Sequence, residues 1–312
     1  MNLANYLEVS LKRYANCIDE IVHEVILAEA PKATVHFKYV KFDPTTGEPK
    51  FDVLAKSLAK HVVRYSLSTR TRQQMETAVD FDQVEGELFM KARDYFRKIQ
   101  KSGEVGELLL FFLLEAAFQA PQVVCKMELK TNPKDEVKGT DGIHIKWDSE
   151  DGHMDVFLGE SKLHQQISGA LDSVFQSITD LHDTNRLDEE LEMVTVHFKH
   201  LDQDLKDVVT RFINRETSES ECHIIHACLV GWDWNEYRHL LTEQREEFFR
   251  KFDAYYIKYA PNIAKMLADR FKDWKYKHLT FKFLFVPFKD VGEFRRAFYK
   301  ELCGVDIELN NS

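Results

Sequence analysis

Residues 139–162 read GTDGIHIKWDSEDGHMDVFLGESK. Polar and apolar side chains alternate twice in this stretch: Ile143, Ile145 and Trp147 against His144 and Lys146 over 141–147, and a second run over 154–162. A period of two marks a strand with one buried face, and the polar loop 148–153 turns the pair into a hairpin. One face of the second strand carries Val156, Leu158, Glu160 and Lys162, so a carboxylate and an ammonium group close an otherwise apolar row. Asp141 opens the first strand. The 18 residues between it and Glu160 suffice for one strand, a loop and the return, which brings the two acids together.

Upstream, 106–118 reads as a helix that is apolar nearly all round. Glu107 lies on its stripe of Leu110, Phe111, Leu114 and Phe118, so a third carboxylate projects toward the same place. Between helix and hairpin, 123–130 alternates Cys125, Met127 and Leu129 against Lys126, Glu128 and Lys130, which predicts a further strand, and Pro133 and Gly139 bracket a turn. A helix over 164–181 follows. The order helix, three strands, helix, strand is distinctive.

Beyond this centre, helical spacing covers 3–30 and stops at Pro31. A strand with Val35, Phe37 and Tyr39 leads into the turn Asp43-Pro44-Thr45-Thr46-Gly47. Helices are predicted over 53–65, 87–99, 201–213, 235–271 with an interruption near Pro261, and 291–302 with Gly304 at its end. Strands are predicted over 193–199, 223–230 and 279–286. The chain is therefore α/β, a mixed sheet flanked by helices, with no solenoid period. A mainly helical segment 1–100, read as an N-terminal appendage without chemistry of its own, precedes a domain over 101–312.

With 312 residues, 44% of them hydrophobic, and only 12 Gly and 7 Pro, the chain is long enough for a sizeable core. That composition excludes disorder, collagen and small disulfide scaffolds. The first ten residues lack the pattern of a signal peptide. The longest unbroken aliphatic and aromatic run, 108–114, falls far short of the roughly 18 residues that span a bilayer, so a cytoplasmic protein with no membrane partner is expected. Cys17, Cys125, Cys222, Cys228 and Cys303 are odd in number and unpaired in spacing, as in a reduced chain. The formal net charge of −10 weighs against indiscriminate nucleic-acid binding. The charge is polarised: 151–250 holds 9 basic and 21 acidic residues, and 251–300 holds 12 basic and 5 acidic.

Glu160 and Lys162 could be a salt-bridged strand end. With Asp141 and Glu107 nearby, however, three acids and a lysine converge, and converging carboxylate oxygens suit a hard cation, Mg²⁺ or Mn²⁺. The lysine then orients water and stabilises charge on a scissile phosphate. Four other groupings point less sharply. Cys222, His223, His226 and Cys228 have zinc-ligand identities, but a strand puts His223 and His226 on opposite faces, so they cannot share one ion. His144 sits opposite Asp141 and reads as a satisfied sheet histidine, with a substrate contact as the alternative. Gln165, Gln166 and Gln176 stand on the following helix, as phosphate contacts or as a solvated face. Trp232, Trp234, Tyr255, Tyr256, Tyr259, Trp274 and Tyr276 interleave with Lys258, Lys265, Arg270, Lys272, Lys275 and Lys277, either to stack bases or to fill a core. No Gly-rich phosphate loop is present, so any motor is a separate protein.

Residues 139–142 (Gly-Thr-Asp-Gly) and 159–162 (Gly-Glu-Ser-Lys) resemble the PD-(D/E)xK nuclease signature, with Thr140 in place of its proline and Ser161, at the variable position, contributing mainly backbone. In these motifs, in length and in the helix start 103–107 (Gly-Glu-Val-Gly-Glu), the chain resembles the HamA nuclease family of the Hachiman anti-phage defence system. The motifs cover 103–166. The resemblance implies a restriction-endonuclease-like fold and Mg²⁺-dependent hydrolysis of DNA, with Asp141, Glu160 and Glu107 as metal ligands and Lys162 as the fourth catalytic residue. It also implies a HamB-type superfamily 2 helicase that restrains the nuclease until DNA is engaged; the chain's own candidates for docking it are 1–100, which has no chemistry of its own, first, and the acidic 151–250 second. The alternative is a non-catalytic nuclease-fold module that binds and regulates a helicase or DNA.

Overall fold

The computed structural model describes residues 3–78, 83–96, 103–129, 139–148, 150, 152–184, 186–200, 202–214, 222–241 and 245–304. In chain order the elements are α1 (Leu11–Cys17), β1 (Ile18–Ile21), β2 (Ala33–Val40), α2 (Phe51–Ala59), α3 (Val62–Ser66), α4 (Thr69–Ala78), α5 (Val84–Asp94), α6 (Glu104–Ala117), β3 (Gly142–Asp148), β4 (His153–His164), α7 (Ile167–Asp183), α8 (Arg186–Val196), α9 (Gln203–Ile213), β5 (Cys222–Asp233), α10 (Asn235–Leu240), α11 (Arg245–Phe271), β6 (Thr280–Phe288) and α12 (Val291–Cys303). The six strands form one mixed sheet in the order β1-β2-β6-β5-β4-β3. The middle pairings β2–β6, β6–β5 and β5–β4 are parallel, and the outer pairings β1–β2 and β4–β3 are antiparallel. Helices flank the sheet, as expected of the α/β reading.

Alternation divides each strand between two cores. On β5, Ala227 and Leu229 pack with α6 and α12, whereas Cys228 and Val230 pack with α7 and α11. On β4, Phe157 and Leu163 belong to the first of these cores, and Val156 and Leu158 to a third one under β3, α8 and α9. The segment 1–100 holds α1–α5 and also places β1 and β2 beside β6, so the sheet crosses residue 100.

Several predicted elements take another form. The helix expected over 3–30 ends at Cys17, where the chain turns directly into β1 and pairs with β2. The helix 53–65 is split into α2 and α3, and the end of the one expected over 87–99 lies outside the described residues. The strand expected over 123–130 is a single bridge at Val124 followed by a 3₁₀ turn, Lys126–Leu129, with Lys130 and Pro133 outside the described residues. The strand-like 193–199 is largely the end of α8, because Leu187, Leu191 and Val194 supply a helical stripe that packs under β3. Helix α11 runs through Pro261 without interruption. Its Phe252, Tyr256, Ala260, Ile263, Leu267 and Phe271 are buried along one stripe, and that burial outweighs the roughly 3 kcal/mol a mid-helix proline costs. All five cysteines are free thiols.

One buried polar cluster ties the N-terminal segment to α6. The Glu115 carboxylate accepts from the backbone N–H groups of Glu8 (2.6 Å), Val9 (3.0 Å) and Gln122 (3.2 Å). Lys199, fully enclosed, donates to Glu8 at 2.5 Å and to Gln122 at 3.1 Å, and Arg72 meets the other Glu8 oxygen at 2.7 Å.

Candidate active site

The hairpin β3–β4 has the register that the sequence implied. Gly142 pairs with Gly159, and the Asp141 N–H donates to the Gly159 carbonyl at 2.8 Å, which sets Asp141 beside the start of Glu160. Strand β3 begins at Gly142, so among the described residues β4 beyond Gly159 has no strand partner on that side and its last residues form an open edge. The Asp141 carboxylate is clamped across this edge: Oδ2 accepts from the Ser161 backbone N–H at 2.6 Å and from its hydroxyl at 2.7 Å. Ser161 therefore contributes its side chain as well as its backbone.

Two further features hold the acids in place. Helix α6 crosses β4 at Gly106, where a Cβ would lie 3.2 Å from both Ser161 Oγ and Leu163 Cγ. A side chain here would push these neighbours back by a few tenths of an ångström, so glycine favours the close approach that brings the next residue, Glu107, toward the strand end. The loop before Asp141 is pinned from below by a buried ion pair. Lys126 meets Glu190 at 2.5 Å and donates to the Thr140 carbonyl, and the Thr140 hydroxyl donates to Glu190 at 2.6 Å. Gly139 there has φ +111°, and a side chain would strike the Glu190 carboxylate.

Glu160 is 7% exposed. Burial first and Asp141 second push its carboxyl up to about 7, against the opposing pull of Lys162 and a hydrogen bond from Ser177 on α7. Lys162 Nζ lies 2.7 Å from Glu160 Oε1. Burial disfavours its charge, but Glu160, Asp141 and Glu107 together outweigh that and raise its pKa above the ordinary lysine value. All four predicted residues thus share one electrostatic cluster. Lys162 enters it as a hydrogen-bond donor to Glu160, its charged form favoured by the neighbouring acids.

Glu107 is held separately, by the Tyr65 hydroxyl, which donates to Oε2 at 3.0 Å. Its oxygens do not close a tight trio with those of Asp141 and Glu160; among the described residues the one such trio of ligand atoms within 4.8 Å lies elsewhere. Sequence reasoning missed Tyr65, Ser177, Lys126 and Glu190. Each acts across a long stretch of chain and carries no local signal, although a buried lysine opposite a buried glutamate is detectable once α8 is read as a helix.

The weaker groupings resolve into structure. His144 is buried, its Nδ1 meets the Ala120 carbonyl at 2.8 Å, and burial lowers its pKa to about 3, so it is a neutral sheet histidine. Gln176 donates to Asp180 one turn along α7. Gln165 and Gln166 line a groove of about 860 Å³ with Trp232, Trp234, Arg238 and Arg296, where β5 ends beside β4. Trp232, Trp234 and Tyr256 are core residues, and Tyr255, Tyr259 and Trp274 pack against the same core. Arg270 and Lys275 pair with Asp172 and Asp183. His226 meets His182 at 3.0 Å on one face of β5, while His223 lies on the other with His153 and Asp155.

Two comparisons bear on this arrangement. The model of the family described as HamA matches residues 15–302, nearly the whole chain. No curated protein shows significant similarity to it.

Proposed function

This chain belongs to the HamA family, a component of Hachiman antiviral defence, and on that premise we propose that it is a Mg²⁺- or Mn²⁺-dependent deoxyribonuclease whose site is the open end of β4. The observation that carries this reading is the convergence of the cluster: among the described residues, Asp141, Glu160 and Glu107 all act on Lys162, which lies against Glu160. Converging carboxylates are what a hard divalent ion takes as ligands, and Glu160, whose carboxyl is pushed up first by burial and second by Asp141, would be held ionised by such an ion. Asp141 and Glu160 would hold the ion and Glu107 would be the third acid. When bound, the metal supplies Lewis acidity toward a phosphoryl oxygen and lowers the pKa of water.

The chain's own groups have distinct duties. Ser161 fixes Oδ2 of Asp141 through its backbone N–H and its hydroxyl. Lys162, kept protonated by its neighbours, orients the attacking water and stabilises charge on the phosphate. A DNA backbone meets an acidic site on a chain of net charge −10. That makes delivery by a separate motor, a HamB-type helicase, the natural way to bring substrate and control. No helix among the described residues is long and apolar enough to cross a membrane.

The test is cleavage of duplex and single-stranded DNA by the purified chain, with and without its helicase partner, in Mg²⁺ or Mn²⁺. Lys162→Ala is expected to lower the rate by about 100- to 1000-fold. Equal cleavage by wild type and variant would overturn the assignment.

A further inference from the structure

At the other end of β4, His153, Asp155 and His223 bring three ligand atoms together. His153 and Asp155 are alternate residues of one strand and share a face, and His223 is the register partner of Asp155 on β5. His153 Nε2 lies 3.2 Å from Asp155 Oδ1, and His223 Nδ1 lies 3.7 Å from the same oxygen. All three ligand atoms fall within 4.8 Å of one another, and the two imidazole centroids are 4.1 Å apart. A tetrahedral Zn²⁺ with bonds of about 2.0–2.1 Å sets neighbouring ligand atoms about 3.3 Å apart, the spacing these pairs already approach.

A simple ion pair accounts for less of this. One protonated histidine suffices to neutralise Asp155, and Lys282 on β6 already adds positive charge beside it. A second imidazole packed against the first is then left without a purpose, and two imidazolium rings at this distance repel. A single cation accepting a lone pair from each ring and from the carboxylate gives all three side chains a role.

We propose that His153, Asp155 and His223 bind one Zn²⁺ ion, which staples the start of β4 to β5. The His223 side chain is 49% exposed, so the fourth position opens to water on that side. Asp155 and Glu160 are separated by five residues of strand, on the order of 16 Å, so this site is independent of the acidic cluster and of the activity proposed for it. Lys146, paired with Asp155 on β3, and Lys282 reduce the affinity that bare geometry would give.

The metal-stripped full chain is titrated with Zn²⁺ by calorimetry and with Co²⁺ by visible absorption, up to roughly 100 μM. Wild type is expected to bind one equivalent that gives the intense bands of tetrahedral Co²⁺; an ion held by the all-oxygen acidic cluster gives only the weak bands of octahedral Co²⁺ and is counted separately, so the outcomes below refer to the tetrahedral equivalent. His223→Ala and Asp155→Asn should weaken binding at least tenfold, and Glu160→Ala should leave it unchanged. The proposal is overturned if wild type binds nothing in this range, if His223→Ala binds as wild type does, or if Glu160→Ala alone abolishes binding. His223→Cys guards against a folding defect in the alanine variant: a thiolate-to-Co²⁺ charge-transfer band supports the site, and its absence with Co²⁺ counts against it.

Discussion

Lys199 and Lys162 are each held by carboxylates, yet the two clusters are completed in different ways. Around Lys199, two acids, Glu8 and Glu115, meet two bases, Lys199 and Arg72, and the remaining carboxylate oxygen valence goes to backbone N–H groups. Its side chain has no exposure at all. Around Lys162, Asp141, Glu160 and Glu107 act on one lysine among the described residues, and the lysine side chain keeps 26% of its surface open near the end of β4. The first cluster is balanced and sealed, as a structural tie must be, because any deficit there is trapped in low dielectric. The second, among the described residues, holds more acids than bases and lies where solvent can reach. A buried ion pair by itself is no sign of function; the second cluster supports the nuclease proposal because it is acid-rich and open.

Removing each lysine is the strongest way to break this contrast. Lys199→Met leaves Glu8 and Glu115 buried beside one remaining cation, and unfolding by urea should show a loss of about 3–5 kcal/mol. Lys162→Met should cost only about 1 kcal/mol in the same assay, because its partners lie at an edge and Glu160 can take up a proton. If the two variants were equally destabilised, the distinction between a sealed and an open cluster would be wrong.

The open cluster was more legible in the sequence than the sealed one, for a physical reason. Asp141, Glu160 and Lys162 lie on consecutive strands whose period of two fixes the face of every side chain, and the short hairpin leaves one register for the pair. Glu107 follows from the helical stripe of α6. Lys199 and Glu8 are 191 residues apart and Tyr65 and Glu107 are 42 apart, so only the assembled fold introduces them. The misread elements have the same origin. Val194, Val196 and Phe198 alternate as in a strand, but the longer stripe through Leu187 and Leu191, together with the Glu190–Lys126 pair, makes the segment helical. Local pattern decided where one face was buried and failed where a distant partner chose the conformation.

A smaller effect separates the clusters by pH. Burial pushes both Glu115 and Glu160 up to about 7 from an unfolded value of 4.5. Between those values the folded chain binds more protons than the unfolded one, so stability is highest at the acid end and falls as pH rises through 7. Each group contributes on the order of 1–3 kcal/mol to that fall. Glu160→Gln should remove its share from the metal-free protein, as read by denaturant midpoints between pH 5 and 8. Saturating Mg²⁺ should flatten the same share in wild type, because only the ionised carboxylate binds the ion, and should leave the Glu115 share in place. Identical pH slopes with and without Mg²⁺ would remove Glu160 from the ion's ligands.

The mildest change probes the link between the helix acid and the rest of the site. Tyr65→Phe deletes the hydroxyl that donates to Glu107 and keeps the ring packed against Phe96 and Phe111. One hydrogen bond to a carboxylate is lost, so stability should fall by about 1–2 kcal/mol. Without that donor, one constraint on the Glu107 carboxylate is lost, which changes how it meets Lys162 and a bound ion. The Mg²⁺ concentration for half-maximal cleavage should then shift, while the rate at saturating Mg²⁺ changes by less than about threefold. A larger loss at saturation would mean that Tyr65 holds Glu107 in a geometry the reaction itself requires, and Glu107 would then rank with Asp141 and Glu160 in the chemistry.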